Sequence, residues 1–167
     1  MRINLINVRE TYMTEEEQKE LYRLNIGKWD LDKAVSLLEA AVKHTPTTVE
    51  YEALVTSAII HYARPFSFNE KEKDAKAISR VPERVTDQFS IEERALHDRI
   101  LNRRNKAIAH AEWNEFPVGV DLETRVLSSK RYSIYPEFLD ANPFLALAKK
   151  LLQRLHNEVA DHVFRFP

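Results

Sequence analysis

Apolar positions recur along most of this chain every three to four residues, the spacing of an amphipathic helix, and predict a series of helices separated by short breaks. Thr14 and Glu17 form a capping box, and the acids around them suit a helix N-terminus, so a helix is expected over about 15–24, ended by Gly27. Asp30 or Asp32 can cap the next helix, in which Leu31, Ala34, Val35, Leu38, Ala41 and Val42 share a face until Pro46 stops it. Thr47 and Glu50 make a second capping box, and Val49, Ala53, Leu54, Ala58, Ile59 and Tyr62 mark a helix that ends before Pro65. Residues 64–89 are more polar and hold Pro65 and Pro82, which reads as a long connection with room for one short helix.

Ser90 and Glu93 open the next helix, which meets no proline before about Trp113. The period then changes. Val118, Val120 and Leu122 alternate with polar or small residues, as do Tyr132 and Ile134, which predicts a small β-hairpin inserted at about 116–135. Asn142 as cap and Pro143 in the first turn start a long final helix along Phe144, Leu147, Leu151, Leu155 and Val159. The first eight residues fit either an edge strand or an arm docked on the bundle. The pattern therefore predicts one mainly all-α domain over 1–167, an up-and-down bundle of four to five helices carrying the hairpin as an insertion.

Composition narrows the choice of function. A length of 167 residues with 44% hydrophobic content is enough for one well-packed core. With two glycines, Gly27 and Gly119, the chain has no Gly-rich phosphate loop, so P-loop and Rossmann chemistry are excluded and any nucleotide must be held by side chains. The lack of cysteine excludes disulfides and thiolate metal sites. No apolar run reaches the length of a membrane span and no signal-peptide layout opens the chain, so a cytoplasmic protein away from the membrane is expected. A net charge of −1 argues against a general DNA-coating role.

Charge is local instead. Between residues 99 and 106 stand four cations, Arg99, Arg103, Arg104 and Lys106, and no acid. On a helical wheel Arg104 falls between the stripe of Ile100 and Ala107 and that of Leu101 and Ile108, where an unpartnered charge is costly. Its partner is either an acid of the fold, with Glu39, Glu50 and Glu52 as candidates, or an external anion. Arg103 and His110, seven residues apart, line up on one edge of the same arc. Arg64, at the turn after an apolar helix, either caps its own helix end or reaches toward the arginine-rich helix. Glu158 and His162, four apart on the last helix, have metal-ligand spacing, but no HExxH pattern accompanies them and an exposed polar face is the expectation there.

Arg104-Asn105-Lys106-Ala107-Ile108-Ala109-His110, late in a helix of a small helical domain, resembles the signature of the HEPN (higher eukaryote and prokaryote nucleotide-binding) superfamily: an arginine, a polar residue, then a histidine. The resemblance implies a bundle of four or five helices, homodimers with both motifs at a shared cleft, and in many members a metal-independent ribonuclease without a cofactor. Other members are silent and serve as binding modules. Carried over, Arg104, His110 and Asn105 are the catalytic candidates, with Arg103, Lys106, Arg99 and Arg64 as substrate-binding candidates. The chain has five residues between arginine and histidine where the compact form of the motif has four, which leaves open whether Arg103 or Arg104 is the motif arginine.

Two readings follow. One is an endoribonuclease, set as the toxin of a toxin–antitoxin or defence pair with a nucleotidyltransferase-type antitoxin. The other is a catalytically silent module that binds a nucleotide or a protein partner.

Overall fold

The computed structural model describes residues 13–67, 80–105, 118–120, 123–124, 127–129 and 138–165. Four helices dominate these residues: α1 (Glu15–Ala41), α2 (Val49–Ala63), α3 (Ile91–Arg103) and α4 (Asn142–Phe164). Short 3-10 turns at Arg64–Phe66 and Glu83–Thr86 flank the segment between α2 and α3. Two three-residue strands, β1 (Val118–Val120) and β2 (Leu127–Ser129), pair antiparallel with Gly119 opposite Ser128. The rest of the expected insertion, including Tyr132 and Ile134, lies outside the described residues, as do the first twelve residues. Among the described residues, no helix is long and apolar enough to cross a membrane.

The two helices expected before Pro46 are one. The capping box at Thr14 is present, with Glu17 N–H donating to Thr14 Oγ1, but α1 passes through Gly27 without a break. Glycine in a helix interior costs about 1 kcal/mol against alanine, and packing explains why it stands here. A Cβ at Gly27 would lie 2.9 Å from Val81 Cγ1 and 3.3 Å from Leu155 Cδ1, so the bare backbone lets α1 lie close against α4 and the connection before α3. Asp30, read from the sequence as a cap, is a buried residue within α1.

Two further caps differ by one residue. The N-cap of α2 is Thr48, whose hydroxyl accepts from Tyr51 N–H, so the hydroxyl one position later than expected closes the first turn. At α4 the N-cap position is Ala141, and Asp140 Oδ1 accepts the Asn142 N–H at 2.9 Å in place of an asparagine cap. Pro143 stands in the first turn as expected.

The core sits where α1 meets α2 and α4. Leu24, Leu31, Leu38, Val55, Ile59, Tyr62, Phe144, Leu151 and Leu155 are fully or almost fully buried there. Ala34, Ala58 and Ala148 keep the backbones close. α3 docks on this unit through Ile100 and His97.

The Gly27 contacts set a stability test. Gly27→Ala gains helix propensity against a displaced Val81 methyl and is expected within about 1 kcal/mol of the parent. Gly27→Leu, overpacking the same space, is expected to destabilise by about 2–3 kcal/mol. Urea unfolding of both variants checks the difference; equal stability of the two would place the helix contact elsewhere.

Candidate active site and the cavity beside it

Hydrogen bonding of α3 is α-helical through Arg103, and the Arg104 N–H is shared between the carbonyls of Ile100 and Leu101. At residues 104 and 105 the helix widens into a π turn, a departure that recurs at functional sites. Arg104 is half-buried, as the wheel implied, and its Nη1 donates to Asn105 Oδ1 at 3.0 Å. The two adjacent motif residues thus form one polar unit at the helix end. Of the acids that might have neutralised Arg104 internally, Glu39 is held by Lys149 at 2.7 Å, Glu50 is exposed and Glu52 is half-buried. Arg99 is exposed and Arg103 half-buried. Lys106 and His110 lie outside the described residues.

Arg64 is placed on other business. Its Nη1 meets Asp30 Oδ1 at 3.0 Å, and His61 Nδ1 reaches the same oxygen at 3.3 Å. Behind them the buried Arg23 donates Nη2 to the carbonyls of Arg64 and Pro65 at 2.9 and 3.2 Å, closing the end of α2. Burial pushes the Arg23 guanidinium below the usual arginine range, with Asp30 pulling the other way. This network anchors the α2 turn to α1. Of the two roles open to Arg64 from the sequence, capping of the α2 end is supplied by Arg23, while the Arg64 guanidinium meets Asp30.

The last helix spends its polar residues on structure. Glu158 accepts from Arg84 Nε at 2.9 Å, and the buried His162 donates from Nε2 to the Glu17 carbonyl at 3.1 Å.

A second feature was not found from the sequence. On the same arc of α3 that carries Arg104 lie Arg94, His97 and Leu101, all within about 80° of one another on the wheel. Together with Phe66 and the stretch Arg80 to Asp87 they line an open cavity of about 260 Å³. His97 is 4% exposed, and its Nδ1 is 2.9 Å from the hydroxyl of the fully buried Tyr62. Tyr62, Phe66 and Phe89 meet its ring edge-on at 5.7, 4.7 and 5.4 Å between centroids. Burial lowers the His97 pKa to about 4, Asp98 opposing the shift and Arg94 adding to it. The ring is therefore neutral at physiological pH, and with Nδ1 engaged by Tyr62 its Nε2 is the nitrogen left to the cavity. Burial likewise raises the Tyr62 pKa well above the usual phenol value.

Arg94 is fixed beside it. Nη1 donates to Thr86 Oγ1 at 3.1 Å and Nη2 to the Thr86 carbonyl at 2.7 Å, while the guanidinium lies 5.1 Å from the Phe89 ring centroid. The signal that could have exposed this site was a histidine in the apolar arc of the motif helix, one helical repeat before Arg104.

The described residues define a helical bundle with a half-buried arginine following its third helix and a small cavity further back along the same face of that helix. Compared with models of known families, with curated proteins and with solved structures, the chain matches none.

His97 carries a pH dependence whose sign is fixed by burial. Its folded pKa of about 4 lies below the unfolded value of about 6.5, so the unfolded chain binds the extra proton first. The neutral ring's contribution is intact above about pH 6.5 and is lost as pH falls toward 4, to a total of about 3 kcal/mol. Unfolding free energies between pH 7 and 4 should therefore fall more steeply for the parent than for His97→Gln, which has no titrating ring. Parallel curves would contradict a buried neutral His97.

Proposed function

We propose that the chain is an HEPN-like, metal-independent endoribonuclease acting as a homodimer, with Arg104, Asn105 and His110 as its working residues. The observation that carries the reading is the state of Arg104. Half-buried on an apolar arc, it turns to its neighbour Asn105 at 3.0 Å, and this leaves further guanidinium N–H groups for an oxyanion. A planar cation in that setting suits phosphoryl oxygens, to which it donates paired charge-assisted hydrogen bonds.

RNA cleavage by its own 2′-hydroxyl needs a base for that hydroxyl, an acid for the leaving 5′-oxygen and positive charge for the crowded phosphorane. In this proposal Arg104 takes the phosphorane and His110 the proton transfers, since imidazole titrates near neutral pH. The second proton-transfer group comes from His110 of the other protomer, across a shared cleft. Asn105, already hydrogen-bonded to Arg104, orients the arginine against the substrate. Arg99, Arg103 and Lys106 add attraction for the backbone, and Arg64 contributes only if it gives up part of its contact with Asp30. The aromatic residues Trp113, Tyr132 and Tyr135, which lie outside the described residues, are the candidates for stacking bases. A nucleotidyltransferase-type antitoxin is the protein partner this reading implies.

Cleavage of a mixed RNA pool in EDTA tests the proposal. The parent should cut, His110→Ala should lose about 100-fold or more, and Arg104→Ala should lose about 100- to 1,000-fold. A parent no more active than these variants removes the enzymatic reading. If nucleotides then still raise the melting temperature, and Arg104→Ala abolishes that shift, a silent nucleotide-binding module takes its place.

A further inference from the structure

We propose that the cavity beside His97 is a recognition pocket for a guanine base. Its place in RNA cleavage, holding a guanine next to the scissile phosphate, rests on the ribonuclease reading above; the binding itself does not.

Size limits the ligand first. About 260 Å³ falls below the range of pockets that hold drug-sized ligands or whole cofactors, and it suits a fragment such as a single heterocycle. Charge limits it next. Among the described lining residues Arg80 and Arg94 are matched by Glu83 and Asp87, so these carry no net formal charge, and a simple anion would meet both signs there. Neither Glu83 nor Asp87 is met by a cation among the described residues, and both are exposed at the rim. Two exposed carboxylates that no donor meets among the described residues, and a fixed guanidinium, favour a ligand that is neutral overall and presents acceptors on one edge and N–H donors on another.

Guanine has that arrangement. Its O6 and N7 accept a bidentate pair from an arginine, and its N1–H and exocyclic amino group donate to a carboxylate. Arg94 is held for the first task by two hydrogen bonds to Thr86. Asp87 or Glu83 serves the second. Adenine offers an amino donor next to N7 where guanine offers a carbonyl, so it would set a donor against the guanidinium. Apolar contact for the ring faces comes from Phe66 and Leu101, and the neutral His97 adds a hydrogen-bonding nitrogen without adding charge. Along α3 the seven residues from His97 to Arg104 span about 10 Å, so a base in the cavity and a phosphate at Arg104 lie on one side of the helix.

Titration calorimetry of the whole chain with guanosine, adenosine, cytidine and uridine tests the pocket without any phosphate present. Guanosine should bind at least tenfold more tightly than adenosine, and the double variant Glu83→Gln/Asp87→Asn should lose that preference while melting within a few degrees of the parent. Should the double variant melt early, one of the single variants Glu83→Gln and Asp87→Asn should lose most of it. Equal affinity for the purines, no guanosine binding, or a preference that survives these changes would overturn the proposal. The two readings fail separately. Guanosine binding by a chain that cuts no RNA keeps the pocket and removes the nuclease, whereas cutting with no guanine preference does the reverse.

Discussion

The position of the arginine-bearing helix depends on one buried contact, the 2.9 Å hydrogen bond between the Tyr62 hydroxyl and His97 Nδ1. α3 buries little of itself: only His97 and Ile100 are fully buried along it. Glu93 and Arg94 add contacts to Lys150 and Thr86 nearer the surface, so the Tyr62–His97 bond is the directional contact made in the buried interior. Tyr62 is wholly buried and packs edge-on against Phe144 at 5.1 Å, so the hydroxyl is itself fixed by the core between α2 and α4. An unsatisfied phenol or imidazole at this depth would cost about 1–3 kcal/mol, so each requires the other. The same burial that makes the pair mutually dependent keeps the imidazole neutral, which decides what kind of group it can offer the cavity.

Tyr62 and Phe66 are in turn placed by the end of α2. There the chain tightens into the Arg64–Phe66 turn, and the carbonyls freed by that turn are taken up by Arg23 from α1. Asp30 compensates the crowd of positive charge by accepting from Arg64 and His61. Gly27, one helical turn beyond Arg23, lets α1 approach Pro65 and Val81 closely enough for this to happen. A local sequence choice on α1 therefore sets the loop geometry that presents Phe66 to the cavity wall two elements away.

Much of this fold was legible in the pattern of apolar residues, because four amphipathic or buried stripes and the boxes at Thr14 and Ser90 act over a few residues only. The break at Gly27 was misread for the opposite reason. Glycine stops a helix when judged by local propensity, and nothing within that window reveals that Val81 and Leu155 will press against it. Arg104 was legible as a charge in an apolar arc, and its half-burial agrees with that. The cavity was not, since its walls come from residues 66, 80–87 and 94–101, joined only by tertiary packing. Asp30 looked like a helix cap because carboxylates usually are exposed, while its actual role needs His61 and Arg64 from another helix.

One stripe of α3 thus carries two electrostatic regimes. Around His97 the environment is buried enough to suppress a proton, and the nearby Arg94 is stabilised by Thr86 and by the Phe89 ring. At Arg104 the helix has opened into a π turn and the only polar partner found for the guanidinium among the described residues is a neutral amide. An isolated cation on a largely apolar arc is unfavourable for folding, and a fold under no other demand would be expected to place leucine or a paired charge there. Among the described residues no acid meets Arg104. A phosphate oxygen, the ligand proposed above for Arg104, would supply charge-assisted hydrogen bonds of the kind a guanidinium makes best, and the cavity lies two turns earlier on the same face of the helix.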